Sequence, residues 1–262
     1  MHKLEVLSKK LRFEVCKMSH RANAAHLGSS LSCIDLLISI FFSNLFKINS
    51  KNKYDKFILF KGHAAAALYS VLSKKKIFSK KKLNLYGVKN SIYEEHPNSK
   101  INGVICSTGS LGHGLSFGVG ISISEKIKNK NNKVIVLMSD GECNEGTVWE
   151  AAGFASAQKL SNLIAIVDYN KWQATGRSKE IMGGDMIKKW SAFGWETHNI
   201  DGHNYYQILN TLKKIKKSKK PTVIIANTIK GKGIKFMEDD NNWHYRIPNS
   251  LELILIKKEL KI

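Results

Sequence analysis

Four short and continuously apolar runs, rich in β-branched residues, recur along the chain and constrain its fold more than any other feature. They are residues 57–60, 134–138, 163–167 and 223–226. Segments of helical length separate them, among them residues 64–73, 147–159 and 205–216. Strands that are apolar on both faces and alternate with helices are typical of a parallel sheet covered on both sides. The sequence therefore predicts an α/β fold: a mostly parallel sheet with helices on both faces.

The first 46 residues predict two amphipathic helices. Leu4, Leu7, Leu11, Val15 and Met18 recur at helical spacing, which indicates the first helix. The segment 32–35 has the pattern S-x-x-D, which predicts a capped start for a second helix over residues 36–46. Polar residues interrupt the apolar stretch 34–46, so it is too short and too polar for a membrane span.

Length and cysteine pattern favour a single domain in a reducing compartment. A chain of 262 residues is long enough to bury one sizeable core, and only three prolines and no linker mark a boundary. We therefore expect residues 1–262 to form one domain. The four cysteines form no CxxC pair and no metal-finger spacing, and the first residues lack the apolar core of a signal peptide. The expected location is the cytoplasm.

The formal charge of +21 raises the question of nucleic-acid binding. Only four of the 42 basic residues are arginines, and the lysines fall in many short runs with no aromatic recognition module. This pattern favours solvated lysine-rich surfaces over a specific nucleic-acid site.

Oxygen-bearing side chains follow two neighbouring strands where the strands end. Asp140 and Gly141 follow the run 134–138, and Asn170 closely follows the run 163–167. In open parallel sheets, ligands bind beyond the carboxyl ends of the strands. A hard cation such as Mg²⁺ takes one or two protein oxygens together with phosphate oxygens and water. Asp140, Asn170 and a nearby main-chain carbonyl could therefore supply three oxygens to a metal ion that also binds a diphosphate, although an Asp-Gly after a strand, taken alone, is more often a plain turn.

Three segments around these residues resemble one enzyme family. They are SDGECNEG at 139–146, WEAA at 149–152 and NLIAIVDYN at 162–170. Together they resemble the N-terminal part of transketolase, especially the form split into two subunits, and the resemblance extends over about residues 4–248. It implies a thiamine-diphosphate-binding fold in which Asp140, Asn170 and the carbonyl of Trp172 hold Mg²⁺, or Ca²⁺ or Mn²⁺ in its place.

The resemblance also implies the residues that hold thiamine diphosphate. Gly141 and Asn170 match positions that meet the diphosphate, and His63 in KGHA matches a histidine that touches the phosphates. The loop 107–114 matches the one that packs along the cofactor's two rings, and the segments 228–233 and 243–244 place a lysine and a histidine over it. The implied cofactor residues are Ser29, His63, Gly109, Ser110, Leu111, Gly141, Asn170, Lys230 and His244.

Catalytic roles follow from the same resemblance. Transketolases move a two-carbon ketol unit between sugar phosphates, which requires hydroxyl protons to be removed and returned. Imidazole titrates near neutral pH and suits that task. The implied catalytic residues are His26, His96 and His244, and Glu145 matches a glutamate that faces the neighbouring subunit.

Three positions depart from the family's usual pattern. Ser139 stands in place of the first glycine of Gly-Asp-Gly, His113 where glutamine is common, and Tyr245 where glycine usually follows the histidine. We expect the small Ser139 to be tolerated and Tyr245 to narrow the substrate channel.

The resemblance further implies a partner chain. Transketolases complete their site with a pyrimidine-binding domain, and a chain of this length has no room for it. We expect the partner to be a C-terminal transketolase-like subunit, in a heterotetramer with two copies of each chain. The segments 112–120 and 149–154 are candidates for the interface, or for simple burial in the core.

Other functions share parts of this pattern. The spacing from Asp140 to Asn170 also occurs in the cofactor-binding subunits of 2-oxoacid dehydrogenases and other ketol-transferring synthases, although the set of four histidines argues against them. A non-catalytic subunit that keeps the fold, or a polyanion-binding protein, is the alternative from a different class. The intact metal ligands argue against loss of activity.

Overall fold

The fold is built on one five-stranded parallel sheet, in a computed structural model that describes residues 1–49, 51 and 53–262. The strand order is β1-β2-β3-β5-β4, and every pair of neighbours is parallel. The strands are β1 (Lys56–Leu59), β2 (Val134–Ser139), β3 (Leu163–Tyr169), β4 (Glu196–Asp201) and β5 (Thr222–Asn227). The predicted α/β class is confirmed.

In these described ranges, the chain forms ten α-helices. They are α1 (His2–Ala22), α2 (Leu27–Ser32), α3 (Ile34–Phe42), α4 (Ala65–Lys74), α5 (His113–Ile127), α6 (Gly146–Ala157), α7 (Ser178–Met182), α8 (Met186–Ala192), α9 (Tyr205–Ile215) and α10 (Ser250–Leu260). Among the residues that the structure describes, no helix is long and apolar enough to cross a membrane. All four cysteines are free thiols, as their spacing predicts.

Two hydrophobic cores, one on each face of the sheet, explain why the central strands are apolar throughout. In β2, Ile135 and Leu137 pack into the core that α1, α3 and α4 cover, whereas Val134 and Val136 pack into the core under α5 and α6. Successive side chains of a strand point to opposite faces, so a strand with helices on both sides needs apolar residues at every position. Helices on both faces are therefore confirmed.

The structure differs from the sequence prediction in the N-terminal helices. The predicted second helix begins earlier and is broken at Cys33, between α2 and α3. Ser32 does not cap it, because its hydroxyl donates to Asp168 instead and lies 3.0 Å from the Ser29 carbonyl. Asp35 forms a buried ion pair with Arg12. The predicted capping motif is wrong, since both of its polar side chains have tertiary partners.

Glycines let α5 approach the sheet closely. A Cβ at Gly114 would lie 1.7 Å from the Phe60 ring, and one at Gly118 would lie 2.6 Å from Val136. Gly120, by contrast, has nothing within 4 Å of its Cβ position and is exposed. Close packing therefore explains Gly114 and Gly118 but not Gly120.

We expect Gly114→Ala to destabilise the protein by ~1–3 kcal/mol or more, because the added methyl overlaps the buried Phe60 ring. Gly120→Ala is the matched control in the same helix, and it should be neutral or stabilising by up to about 1 kcal/mol through helix propensity. Urea denaturation followed by circular dichroism measures both changes. Equal unfolding midpoints for the two variants would contradict this account of α5 packing.

Candidate active site

The ends of β2 and β3 bring the two predicted metal-ligating side chains to the same edge of the sheet. Ser139 pairs in register with Asp168, so Asp140 and Asn170 leave neighbouring strands side by side. The Asp140 Oδ2 atom accepts hydrogen bonds from the Lys171 backbone N–H (2.9 Å) and the Ser178 hydroxyl (2.8 Å). Asp140 is thus fixed against the segment that begins at Asn170.

Asn170 and Trp172 form a tight turn beside Asp140. The Asn170 Oδ1 atom accepts a hydrogen bond of 3.0 Å from the Trp172 N–H, and Lys171 between them has a positive φ of 68°. Asp140 and Asn170 are both buried. The structure therefore places the three residues predicted to hold a metal next to one another, and their ligand role stays a prediction.

Asp140 carries a buried carboxylate that a bound cation would stabilise. Burial raises its pKa to about 6, partly offset by the Ser178 hydrogen bond. Within the described part of the chain it forms no ion pair, and no group of three or more His, Cys, Asp or Glu residues is placed to hold a metal. One carboxylate with amide and carbonyl oxygens matches a hard cation that shares further oxygens with a phosphate ligand. The donor set thus fits Mg²⁺ with a diphosphate.

A pocket of about 300 Å³ opens above this edge of the sheet. Ten of the predicted site residues line it: His26, Ser29, His63, His96, Gly109, Leu111, Gly141, Asn170, Trp172 and His244. Three predicted residues do not: Asp140 is buried beside it, Lys230 is buried behind His244, and Ser110 is exposed and contacts the His113 ring at 3.2 Å. Most of the set that the sequence predicts thus faces one cavity.

Four histidines surround this pocket. The His26 ring centroid lies 5.5 Å from that of His63, 6.0 Å from that of His96 and 5.0 Å from that of His244. Burial lowers the pKa of His26 to about 4 and that of His244 to about 3, and it also lowers the pKa of His63. These three imidazoles are therefore neutral at pH 7 and accept hydrogen bonds, but they are weak bases, contrary to the near-neutral titration expected of His26 and His244.

The first loop holds His26 through backbone geometry. His26 precedes α2 with a left-handed φ of 67°, and its N–H donates a 2.7 Å hydrogen bond to the His244 carbonyl. Its buried Nδ1 atom has no hydrogen-bond partner among the described residues. A buried polar atom without a partner costs free energy, so this nitrogen is suited to bind a polar ligand group.

Lys230 lies behind His244 and shapes its electrostatics. The Lys230 ammonium donates to the Asn241 amide oxygen (2.6 Å) and contacts the His244 Nδ1 atom at 3.1 Å. Burial, together with the nearby positive charge of Lys61, lowers the pKa of Lys230 to about 7. Lys230 therefore changes its charge near neutral pH, directly beside a predicted catalytic histidine.

We expect Lys230→Met to raise the pKa of His244, because after burial the charge of Lys230 is the largest cause of its depression. The direction follows from charge repulsion: a neighbouring cation disfavours the imidazolium, and its removal favours it. NMR titration of the His244 ring protons measures the shift. Lys232→Met removes a lysine that is paired with Glu238 instead, and it should leave His244 unchanged. Equal His244 titration curves in both variants would refute the coupling.

The structure shows what surrounds each of the three residues that depart from the family pattern. The Ser139 N–H and hydroxyl both donate to the buried Glu142 carboxylate, at 2.7 and 3.1 Å, so serine is accommodated. His113 contacts Ser110 and the Leu111 carbonyl at the start of α5. Tyr245 is 62% exposed, packs edge-on against His244 and lines a neighbouring cavity. Tyr245 thus lies outside the main pocket, at its border.

Sequence reasoning missed part of the pocket wall. Gln173, Ala174 and Thr175 line the pocket, and they follow directly on the strand-end residue Asn170. A 3.0 Å hydrogen bond from the Asn241 side chain to the Ala174 carbonyl fixes this loop. Their position just after the metal-site motif was the available signal.

The parallel sheet and the oxygen-rich, histidine-lined pocket at its carboxyl ends agree with the resemblance to transketolase. Comparison with known families agrees, because residues 5–259 match the family described as the transketolase thiamine diphosphate binding domain. The chain belongs to this family.

Relatives show which form of the family the chain resembles. It is 36% identical over 252 residues to one subunit of the apulose-4-phosphate transketolase of Phocaeicola vulgatus, covering 94% of this chain and 90% of that protein. It is also 36% identical to a 6-deoxy-6-sulfo-D-fructose transketolase subunit of a Clostridium species, covering 90% and 87%. The chain is a transketolase-type N-terminal subunit, as its motifs predict.

Solved transketolases share the fold. The Campylobacter jejuni transketolase superposes with a TM-score of 0.85 at 28% identity, over 100% of this chain and 46% of that chain. A Pichia stipitis transketolase variant reaches a TM-score of 0.91 at 23% identity. The chain thus spans less than half the length of these solved transketolases. The matches favour a transketolase over the 2-oxoacid dehydrogenase alternative.

Proposed function

We propose that the chain is the cofactor-binding subunit of a two-subunit transketolase. The enzyme transfers a two-carbon ketol unit between sugar phosphates, using thiamine diphosphate and Mg²⁺. The observation that carries this proposal is the adjacency of Asp140 and Asn170 at two strand ends, below a pocket that four histidines line. Free thiols throughout the chain support a cytoplasmic location.

Three oxygen donors would hold the metal: the Asp140 carboxylate, the Asn170 amide oxygen and the Trp172 carbonyl. Mg²⁺ prefers six oxygen ligands, so diphosphate oxygens and water would complete its shell; Ca²⁺ and Mn²⁺ are close substitutes. The metal would neutralise the buried carboxylate, whose pKa burial raises in the metal-free chain. Metal and diphosphate therefore stabilise one another in this site.

Residues around the pocket would hold the rest of the cofactor. Gly141, Asn170 and His63 line the pocket and would border the diphosphate. Ser29, Gly109 and Leu111 also line the pocket and would contact the cofactor's rings. When bound, thiamine diphosphate would supply the nucleophilic carbon and the electron sink that ketol transfer needs.

The histidines would handle the substrate's protons. His26 and His244, kept neutral by their lowered pKa values, would accept hydrogen bonds from the substrate's hydroxyls and orient them for proton transfer. His96 lies 6.0 Å from His26, on the same side of the pocket. Lys230 adds a titratable charge behind His244, so the proton affinity of that imidazole depends on its neighbour.

An exposed apolar surface on α5 and α6 supports the proposed partner subunit. Phe117 is 49% and Phe154 50% exposed, and Leu111 at the pocket rim is 43% exposed. Gly120 and Gly146 on the same helices have nothing within 4 Å of their Cβ positions. Exposed apolar patches of this kind mark protein interfaces. We propose that a C-terminal transketolase-like subunit packs here, beside Glu145, in a heterotetramer with two copies of each chain.

Ketol transfer by purified proteins tests the proposal. The chain co-purified with its partner should transfer ketol units from at least one donor in a panel of ketose phosphates, and transfer should require thiamine diphosphate and Mg²⁺. The rigorously purified single chain should show none. Turnover by the single chain would overturn the two-subunit proposal, and a complex inactive with every donor and unable to bind the cofactor would overturn the enzymatic one.

A further inference from the structure

A buried polar cluster lies directly beneath the pocket, on the face of the sheet that α2 covers. It consists of Ser32, Lys61, Asp168 and Thr228, and all four side chains are buried. Lys61 follows β1, Asp168 lies near the end of β3, and Thr228 follows β5. The cluster therefore joins three strand ends to one helix.

Hydrogen bonds satisfy every charged group in this cluster. The Lys61 ammonium pairs with the Asp168 carboxylate and also donates to the Ser29 carbonyl (2.7 Å) and the Ser32 hydroxyl (3.1 Å). The Ser32 hydroxyl donates to Asp168 Oδ2 at 2.6 Å, and the Thr228 hydroxyl donates to Asp168 Oδ1. A 3.5 Å contact links Ser32 to the Asn170 amide nitrogen. Each carboxylate oxygen thus has its own partner.

Every member of the cluster is two or three residues from a candidate cofactor residue. The pairs are Lys61 with His63, Ser32 with Ser29, Asp168 with Asn170, and Thr228 with Lys230. At such a separation, the backbone position of one residue sets the position of the other. A shift of the cluster would move the four pocket segments relative to one another.

Stability alone does not explain this buried pair. Desolvation of two buried charges offsets most of their attraction, and a pair of apolar residues of similar size is often as stable. Outer partners of ligand residues, in contrast, orient those residues and typically change metal affinity or activity by ~10–100-fold. The Lys61 charge also lowers the pKa of His26 and His244, after burial and other neighbours, so its effect reaches into the pocket.

We propose that Lys61 and Asp168, with Ser32 and Thr228, are positioning residues that hold the cofactor and metal ligands in one arrangement. This inference rests on the proposed function of the same pocket. The cluster touches neither cofactor nor substrate itself, and it acts through Ser29, His63, Asn170 and Lys230. Its fixed geometry prepares the site before the ligand arrives.

The test replaces both charges at once, so that no buried ion is left without a partner. Lys61→Met/Asp168→Asn is compared with Lys56→Met/Glu125→Gln, which removes a somewhat less buried pair (3.4 Å) near the amino end of β1, away from the pocket. In the complex with the partner subunit, calorimetry measures the affinity for thiamine diphosphate with Mg²⁺, and thermal unfolding measures stability. We expect the first variant to bind ~10-fold or more weakly. The control should bind as the wild type does.

Unfolding and affinity together separate the possible outcomes. A first variant that unfolds earlier but binds with wild-type affinity when folded would overturn the positioning role and leave the proposed function intact. Failure of the wild-type complex to bind the cofactor would overturn both. If the double variant does not fold, Thr228→Val and Thr228→Ser replace it, because only serine keeps the hydroxyl that donates to Asp168. Equal cofactor affinity in those two variants would also refute the inference.

Discussion

Asp140→Asn is expected to weaken binding of thiamine diphosphate with Mg²⁺ by ~100-fold or more, because it removes the only carboxylate among the proposed ligands. The substitution keeps the size of the side chain, so the loss reports on charge. Calorimetry on the complex with the partner subunit, at saturating and at limiting Mg²⁺, measures the affinity. Ketol transfer should fall in parallel and recover only in part at high Mg²⁺.

Asp201→Asn provides the matched control for this prediction. Asp201 is the last residue of β4, so it also lies at the carboxyl ends of the strands. It is exposed, and its carboxylate accepts a hydrogen bond from the His203 N–H (2.8 Å). Its loss should leave cofactor affinity unchanged. Wild-type affinity in Asp140→Asn, or an equal loss in both variants, would mean that Asp140 does not hold the metal.

The sheet was predictable wherever burial on both faces left a continuous apolar run. The runs 134–138 and 163–167 became β2 and β3 because helices cover both of their faces. The site followed from that assignment, since the ends of neighbouring parallel strands must lie together. Asp140 and Asn170 were therefore identifiable from their positions after two strands.

The edge strand β4 was not predictable on the same grounds. Its sequence ETHNID contains one buried apolar residue, Ile200, because most of this edge strand is partly open to solvent, unlike the buried edge strand β1. The break between α2 and α3 was also missed, because it depends on tertiary contacts of Ser32 and Asp35.

The buried cluster under the pocket shows a further limit of sequence reasoning. Lys61 in KGHA reads as an exposed lysine among many, and Asp168 as another strand-end carboxylate. Their burial depends on α2 folding over the end of the sheet and on Thr228 arriving from β5. Residues far apart along the chain create this environment, so no local sequence pattern predicts it.

Arg12→Met is expected to destabilise the protein by ~3–5 kcal/mol, because it leaves the Asp35 carboxylate buried without its main counter-charge. The Arg12 guanidinium donates two hydrogen bonds to Asp35, at 2.6 and 3.1 Å, and a third to the Lys232 carbonyl at 2.8 Å. Tyr205 and His203 also contact Asp35, both at 2.8 Å, so the pair joins α1 and α3 to the start of α9. Urea denaturation at pH 7 measures the loss.

Arg246→Met tests whether burial is the cause of that loss. Arg246 also pairs with a carboxylate, that of Glu252, but its side chain is 52% exposed, and exposed pairs contribute about 0–1 kcal/mol.

The two variants should also differ in how their stability depends on pH. Burial alone would raise the pKa of Asp35, but Arg12 and His203 hold it below its usual range. The ionised Asp35 carboxylate therefore stabilises the folded wild type above about pH 4, and this stabilisation is lost as the pH falls. The difference in the free energy of unfolding between wild type and Arg12→Met should therefore become smaller in acid. Equal destabilisation by both arginine substitutions would contradict the burial argument.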